Sequence, residues 1–287
     1  MTVGVLSGTV VGSWLPVLLS SQSNSSDETI AVIIFFAVGL YLVYNGFQKW
    51  QRKRLMQDTP TEKVRSAAVG RTELSGTAKP IEGLGTLKQP FTDGECLVAT
   101  YTVEEWEEDH DDDGPDGHWN TIKSGTIYKP FELDDGTGSI RVEPEADATY
   151  EISEQFRTRF RVGAGRTPPD EVVAFFQREF DDDGDEGFLG GLLGGGPGAR
   201  GSDRRRYTQE VIPPGESLYL LGGAEPRAGA SGSNAEQLVL RRDSGSDEFI
   251  ISDQTEAELV SGYKWLAPAQ IAGGIALSAA MLYFLLA

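Results

Sequence analysis

The sequence predicts an α+β fold in which one strand-rich domain lies between two membrane-spanning helices. Two uncharged apolar segments lie near the ends of the chain, at residues 30–48 and 265–287. Between them, short segments that alternate apolar and polar residues are separated by Gly, Pro and Asp, which is typical of strands and turns. We therefore expect a mostly antiparallel domain with one or two helices, flanked by N- and C-terminal transmembrane helices.

The two apolar segments are long enough to cross a bilayer. Residues 30–48 are close to the lower limit for a spanning helix, and residues 265–287 exceed it. Tyr263 and Trp265 lie where an aromatic belt would meet the membrane surface. Residues 1–29 precede the first span, and their uncharged stretch Val3–Leu19 contains Gly12 and Pro16. A signal peptide, a short extra span and an interfacial segment all remain open for this stretch.

The charges beside the first span predict its orientation. Two acidic residues precede the span and four basic residues follow it: Asp27, Glu28, Lys49, Arg52, Lys53 and Arg54. Because basic residues stay on the cytoplasmic side, we expect an integral protein of the cell membrane whose domain faces the cytoplasm.

The overall charge excludes one class of partner. The chain has a formal net charge of -19, with 8 Lys and 17 Arg. Nucleic-acid binding requires Lys and Arg that neutralise phosphates, so we expect no nucleic acid partner. An acidic, lysine-poor composition resembles proteins of salt-accumulating halophilic archaea, although an ordinary acidic protein remains an alternative. We expect the fold to need salt that screens its self-repulsion.

Several strands and one amphipathic helix are predicted between the spans. The helix extends from about Pro168 to Phe180, with Asp170 and Glu171 near its N-terminus and apolar residues at helical spacing. A second helix is expected after Ser252, continuing toward the second span. The predicted strands are Cys96–Trp106, Ser124–Phe131, Ser139–Val142, Tyr207–Ile212, Glu216–Leu221 and Gln237–Leu240.

Two loops are predicted from composition. Residues 104–117 are densely acidic, and residues 181–203 are rich in glycine and predicted to be disordered. In the acidic loop, Asp109, Asp111, Asp113 and Gly114 begin a calcium-loop pattern, but Asn120 occupies the position of its bidentate Glu. We therefore predict a solvated acidic hairpin tip. The weak candidates for a divalent metal site are His110, Asp111, Asp113 and His118.

The sequence predicts no catalytic residue and no cofactor. Cys96 is the only cysteine, and its position in a predicted strand favours a core residue over a nucleophile. The two histidines lie in a loop that gives no rigid support for catalysis.

The order of several motifs resembles the GIDE domain, also called the BAM ("beside a membrane") domain, of mitochondrial-anchored (mulan-type) RING ubiquitin ligases. The matching stretches are Leu74–Pro80, Glu95–Val98, Lys129–Gly136, Gly138–Pro144, Tyr207–Pro214 and Ile250–Gln254. The family-motif residues are Gly76, Pro80, Cys96, Pro130, Phe131, Asp135 and Gly136. The resemblance covers about residues 65–287, and it implies a GIDE-like domain at residues 65–264 followed by a membrane helix.

The resemblance implies a ubiquitin-related role only in part. In those ligases a RING performs ubiquitin transfer, and a RING binds two zinc ions through about eight Cys and His ligands. The 287 residues contain one Cys and two His, which is too few. We therefore expect a non-catalytic interaction module that binds a protein partner beside the bilayer. The alternative is an adaptor in a ubiquitin-like conjugation system whose catalytic unit is another chain.

Overall fold

The computed structural model describes residues 25–59, 61–111, 114–163, 166–180, 204–227, 229, 237–245 and 247–286. The chain is α+β with a strand-rich body and an apolar helix near each end, which confirms the predicted fold class. It divides into two compact units: residues 51–264, and a helical unit whose described residues are 25–50 and 265–286. The stretch Val3–Leu19 and the glycine-rich segment 181–203 lie outside the described residues.

Two long helices are apolar enough to cross a membrane, judged by length and composition. Helix α1 spans Ser25–Asp58 and the C-terminal helix α3 spans Glu256–Leu286. Their apolar windows have mean hydropathies of 2.2 and 1.4. Large apolar side chains such as Ile33 and Ile275 are more than half exposed, which is unfavourable in water and favourable in lipid. Helix α1 continues beyond the predicted span because residues 49–58 are mostly strong helix formers.

Within the helical unit, α1 and α3 approach each other closely at glycines. A Cβ atom at Gly46 would lie 2.7 Å from Ile271 Cγ1, and one at Gly274 would lie 2.6 Å from the carbonyl oxygen of Gly39. Small residues of this kind let two membrane helices pack backbone to backbone.

Five strands of the larger unit close into a small barrel. In barrel order they are β2 (Gly70–Pro80), β7 (Phe131–Asp134), β8 (Ser139–Val142), β13 (Leu238–Arg241) and β12 (Ser217–Pro226). Strand β12 pairs back onto β2, which closes the ring. Buried residues of all five strands form the core, including Leu74, Phe131, Ile140, Leu220 and Leu240.

Three short strands extend the barrel sheet at its margins. They are β1 (Thr61–Glu62), β9 (Thr149–Glu151) and β14 (Ile250–Ser252). A hydrophobic cluster separate from the barrel core lies beside β12 and β14, where Met56 of α1 and Leu259 of α3 contact Tyr219, Leu221 and Ile250. The residues of α1 and α3 that belong to this unit are therefore packed on the sheet.

A second, antiparallel sheet has the order β10-β11-β5-β6. Its strands are β5 (Val98–Asp111), β6 (Gly114–Tyr128), β10 (Arg157–Val162) and β11 (Arg205–Ile212). Helix α2 (Asp170–Phe180) covers one face, with Phe175 and Phe176 buried against Phe91 and Tyr101. A small hairpin is formed by β3 (Leu87–Lys88) and β4 (Glu95–Cys96). Two single-turn 3-10 helices, Val64–Ser66 and Glu154–Phe156, complete the described elements.

Two sequence predictions were wrong in this region. The predicted acidic loop 104–117 is mostly the paired arms of the β5–β6 hairpin, because the cross-strand ladder continues from Val98 to Asp111. The predicted strand Ser124–Phe131 is two strands separated at Pro130, which has no N–H to donate to a ladder.

Candidate interaction surface

The four-stranded sheet has two chemically different faces. On the inner face, Tyr101, Val103 and Tyr207 are buried under α2. Residues at the alternate positions lie on the opposite face, since successive strand residues point to opposite sides. This outer face combines arginine, tryptophan and glutamate side chains.

The centre of the outer face is a cross-strand ion pair. Glu104 and Arg206 occupy paired positions on β5 and β11. Arg206 Nε donates to Glu104 Oε2 at 2.5 Å, and its Nη2 donates to the second carboxylate oxygen. These bonds hold the pKa of Glu104 below its usual value. Because both side chains are about four-fifths buried, the pair is fixed in position.

Trp119 of β6 connects this pair to neighbouring arginines. The guanidinium carbon of Arg206 lies 4.5 Å from the centre of the Trp119 ring, and that of Arg161 lies 5.4 Å from it. Trp106 meets Trp119 edge to face at 5.3 Å, and Arg204 lies 5.1 Å from the Trp106 ring. Cation–π contacts of this kind stabilise partly exposed arginine. We call Glu104, Trp106, Trp119, Arg161, Arg204 and Arg206 the Trp–Arg cluster.

Strand β10 forms one edge of this sheet and adds further arginines. Arg157, Arg159 and Arg161 alternate along it and lie on the outer face. Arg157 Nε donates to Glu210 Oε1 at 2.7 Å, and Arg157 also pairs with Glu154. Arg159 Nε donates to Thr208 Oγ1 at 3.3 Å, and both Arg159 and Arg161 are exposed.

The weak metal candidates do not form a site in the described part of the chain. Asp113 lies outside the described residues, as do the side chains of His110 and Asp111. His118 is exposed on β6, with its Nε2 3.6 Å from Glu107 Oε2. Among the described residues, no group of three or more His, Cys, Asp or Glu side chains could hold a metal ion.

Cys96 lies in the core and not in a reactive site. The side chain is fully buried in the cluster beneath α2. Burial raises the pKa of its thiol to about 12. The thiolate, which is the nucleophilic form, is therefore scarce at neutral pH.

The other family-motif residues lie in or beside the barrel and stabilise its closure. Gly76 of β2 lies so close to the β7–β8 turn that a Cβ atom would be 2.7 Å from the Asp134 carbonyl oxygen. In that turn, Gly136 has a φ of +81°, which favours glycine. The Asp135 carboxylate accepts hydrogen bonds from the main-chain N–H groups of Val64 and Thr137.

The remaining motif residues have equally local structural surroundings. Pro80 at the end of β2 pairs with Phe131, which is fully buried in the barrel core. Pro130 occupies the break between β6 and β7. The motif residues for which the structure gives contacts thus form interactions that stabilise the fold.

Sequence reasoning missed the Trp–Arg cluster and the β10 edge. The alternation of arginine in the run Arg157–Val162 was the available signal, since it gives three basic residues on one face of a strand. The dense acidic residues at 104–117 led to the prediction of a loop just after the predicted strand Cys96–Trp106. Only the pairing of β5, β6 and β11 brings the two tryptophans to the arginines.

Comparison with known proteins gives one family. The family model GIDE, described as E3 ubiquitin ligase, matches residues 101–283. The match includes nearly all of the four-stranded sheet, four of the five barrel strands and nearly all of α3. Neither the curated proteins nor the solved structures gave a match.

Proposed function

Because the chain belongs to the GIDE family, we propose that it is a non-catalytic protein-interaction module held beside a bilayer by α1 and α3. The Trp–Arg cluster on the outer face of the four-stranded sheet is the observation that carries this proposal. The function of the module is to bind a protein partner at the membrane surface.

The composition of the cluster supports a binding role. Trp and Arg are enriched among the residues that dominate binding energy at protein interfaces. Here two half-buried tryptophans are held by Arg161, Arg204 and Arg206, so little side-chain freedom remains to be lost on binding. The chain carries a net charge of -19, so a surface that combines three arginines in this way contrasts with its average surface. Such a contrast favours selection among partners by charge.

The two apolar helices support the location. Their exposed apolar side chains are suited to lipid. The basic residues at 49–54 support a cytoplasmic position of the larger unit, because basic residues beside a span tend to stay on that side. Attachment to the membrane raises the effective concentration of the domain for other membrane proteins. The orientation is tested with a Cys96→Ala, Glu82→Cys variant, because Glu82 is exposed. A membrane-impermeant thiol reagent should label this variant only after cell lysis, and labelling of intact cells would contradict the orientation.

The binding role is tested by quantitative affinity purification of the full chain from native membranes. A Trp119→Ala, Arg206→Ala variant should lose the proteins that the unaltered chain retains. A Tyr128→Ala, Arg141→Ala variant is the control, because it also removes one aromatic residue and one arginine, neither of which belongs to the cluster. Equal retention by both variants would contradict the proposal. Circular dichroism of each variant shows whether the fold is intact.

The second candidate is an adaptor in a ubiquitin-like conjugation system, favoured by the description of the matching family as E3 ubiquitin ligase. In this case the Trp–Arg cluster binds a substrate or a conjugating component, and another chain performs the transfer. Small modifier proteins or their activating enzyme should then copurify with the unaltered chain. Their absence from a purification that retains other partners would exclude this candidate.

A further inference from the structure

The edge of the four-stranded sheet at β10 has the properties of a strand-binding site. Among the described residues, strand β10 pairs with β11 on one side, and no strand pairs with its other side. The main-chain N–H of Arg157 donates to the Glu154 carbonyl oxygen, outside the β10–β11 ladder. Main-chain groups alternate in direction along an antiparallel strand, so those of Arg159 and Arg161 also point to the free edge. This edge can therefore pair with another strand.

We propose that the free edge of β10 binds an extended segment of a partner protein as an antiparallel fifth strand, with Asp or Glu at alternate positions and apolar residues between them. This inference rests on the proposed interaction function and specifies the chemistry of the partner. Extended segments commonly bind exposed sheet edges in this way, with main-chain bonds for affinity and side-chain pockets for specificity.

Charge supports an acidic segment. Arg159 and Arg161 are exposed on the outer face, and neither forms an ion pair among the described residues. Arg166 lies in the turn that follows β10, where its main-chain N–H donates to the Gly163 carbonyl oxygen. Its side chain is also exposed and forms no ion pair in the described part of the chain. Carboxylates directly opposite Arg159 and Arg161 would form favourable cross-strand pairs. In a chain with a net charge of -19, such arginines are available for a partner and repel other cations.

A groove beside β10 supports the apolar positions. It has a volume of about 580 Å³ and is lined by Phe160, Arg161, Val162, Arg166, Pro168 and Pro169. Phe160 stacks on the buried Tyr207 ring at 5.3 Å, so the side of the groove is rigid. In an added strand, apolar residues would alternate with the carboxylates. Their side chains would therefore point to the opposite face of the sheet, which carries Phe160 and Val162. The groove accommodates apolar side chains there.

The same arginines could instead protect the edge, since charged residues on edge strands prevent unwanted pairing. The groove and the aligned free main-chain groups favour binding over protection. Protection predicts that no acidic strand binds, so experiment separates the two roles.

The test uses the full chain in detergent and a short fluorescent peptide that alternates Glu and Val. Fluorescence anisotropy at about 50 mM salt should show saturable binding, because screening is weak there. An Arg159→Glu, Arg161→Glu variant should bind at least about tenfold more weakly. The control is a Lys63→Glu, Arg65→Glu variant, which changes the net charge by the same amount at exposed positions between β1 and β2. This control should bind the peptide within about twofold of the unaltered chain.

Peptide methylation distinguishes strand addition from simple charge attraction. Glu residues opposite Arg159 and Arg161 donate their N–H groups to β10 in an antiparallel pair, whereas Val N–H groups point away. Methylating the Glu amide nitrogens should therefore abolish binding, and methylating the Val amide nitrogens should preserve it. No peptide binding, equal weakening by both charge-reversal variants or equal effects of both methylations would overturn the inference. If the Trp–Arg cluster still retained partners in that case, the proposed interaction function would stand and only the β10 assignment would fail.

Discussion

Replacing Tyr219 with Phe tests a buried polar contact between two barrel strands, β12 and β2. Tyr219 lies on β12, and its hydroxyl donates to Glu73 Oε2 of β2 at 3.0 Å. Thr61 Oγ1, in the strand that follows α1, donates to Glu73 Oε1 at 2.5 Å. Tyr219 and Glu73 are both almost completely buried. The carboxyl group therefore joins three strands and depends on protein donors in place of water.

The expected loss follows from the geometry. Tyr219→Phe leaves the ring in place, so no cavity forms, and it removes one of the two hydroxyl donors to a buried carboxyl. A hydrogen bond to a charged group contributes about 1.5–3 kcal/mol, and unsatisfied burial has a similar cost. For a domain of this size, each kcal/mol corresponds to about 2–4 °C, so the unfolding midpoint should fall by roughly 3–12 °C.

The assay is thermal unfolding of the full chain in detergent, followed by tryptophan fluorescence. Tyr128→Phe is the control, because Tyr128 is exposed and its hydroxyl forms no hydrogen bond among the described residues. This control should unfold at the same temperature as the unaltered chain. A Tyr219→Phe midpoint equal to that of the control would refute the role assigned to the Glu73 contact.

Four further predictions concern other parts of the chain. Burial raises the pKa of Glu73, so this carboxyl favours folding below its unfolded pKa and loses that contribution as pH rises through its folded pKa. The free energy of unfolding of Glu73→Gln should therefore rise relative to that of the unaltered chain as pH increases. Urea unfolding at several pH values measures this, and a difference in free energy that stays constant with pH would contradict it. Gly274→Leu should lower the unfolding midpoint in detergent, whereas Gly273→Leu, where a Cβ meets no atom within 4 Å, should not. Cys96 should react with a thiol reagent at about pH 8 only after denaturation, because its pKa is raised to about 12; rapid labelling of the folded chain would oppose its burial. The unfolding midpoint should rise between about 0.1 M and 3 M KCl, and an unchanged midpoint would show that screening is unimportant.

The predictable parts of the fold were those with strong local signals. Strand β8 was predicted with its observed bounds, Ser139–Val142, because an alternating pattern lies next to a Gly-containing turn. Helix α2 was predicted because its apolar residues keep helical spacing, although it begins at Asp170 after two prolines. The apolar helices were predicted from composition alone.

The missed parts depend on long-range pairing. Strand β2 has no strong alternation, and it is stabilised by pairing with β12 and β7, which lie far away in sequence. Barrel closure also requires Gly76 to approach Asp134, a contact that no local pattern reveals. The Trp–Arg cluster was missed for the same reason, because Trp119 and Arg206 meet only through the sheet.

The central claim, that the outer face of the four-stranded sheet binds a protein partner at the membrane, is tested most directly by site-specific photo-crosslinking in native membranes. Thr208 of β11 lies on the outer face between β5 and β10, and one photo-reactive residue is placed there. The control is a photo-reactive residue at Arg65, which is exposed and precedes β2 of the barrel. We predict a discrete crosslinked product from Thr208 that disappears when Trp119→Ala and Arg206→Ala are added, and no such product from Arg65. The same products from both positions, or a Thr208 product that survives the added substitutions, would contradict the claim.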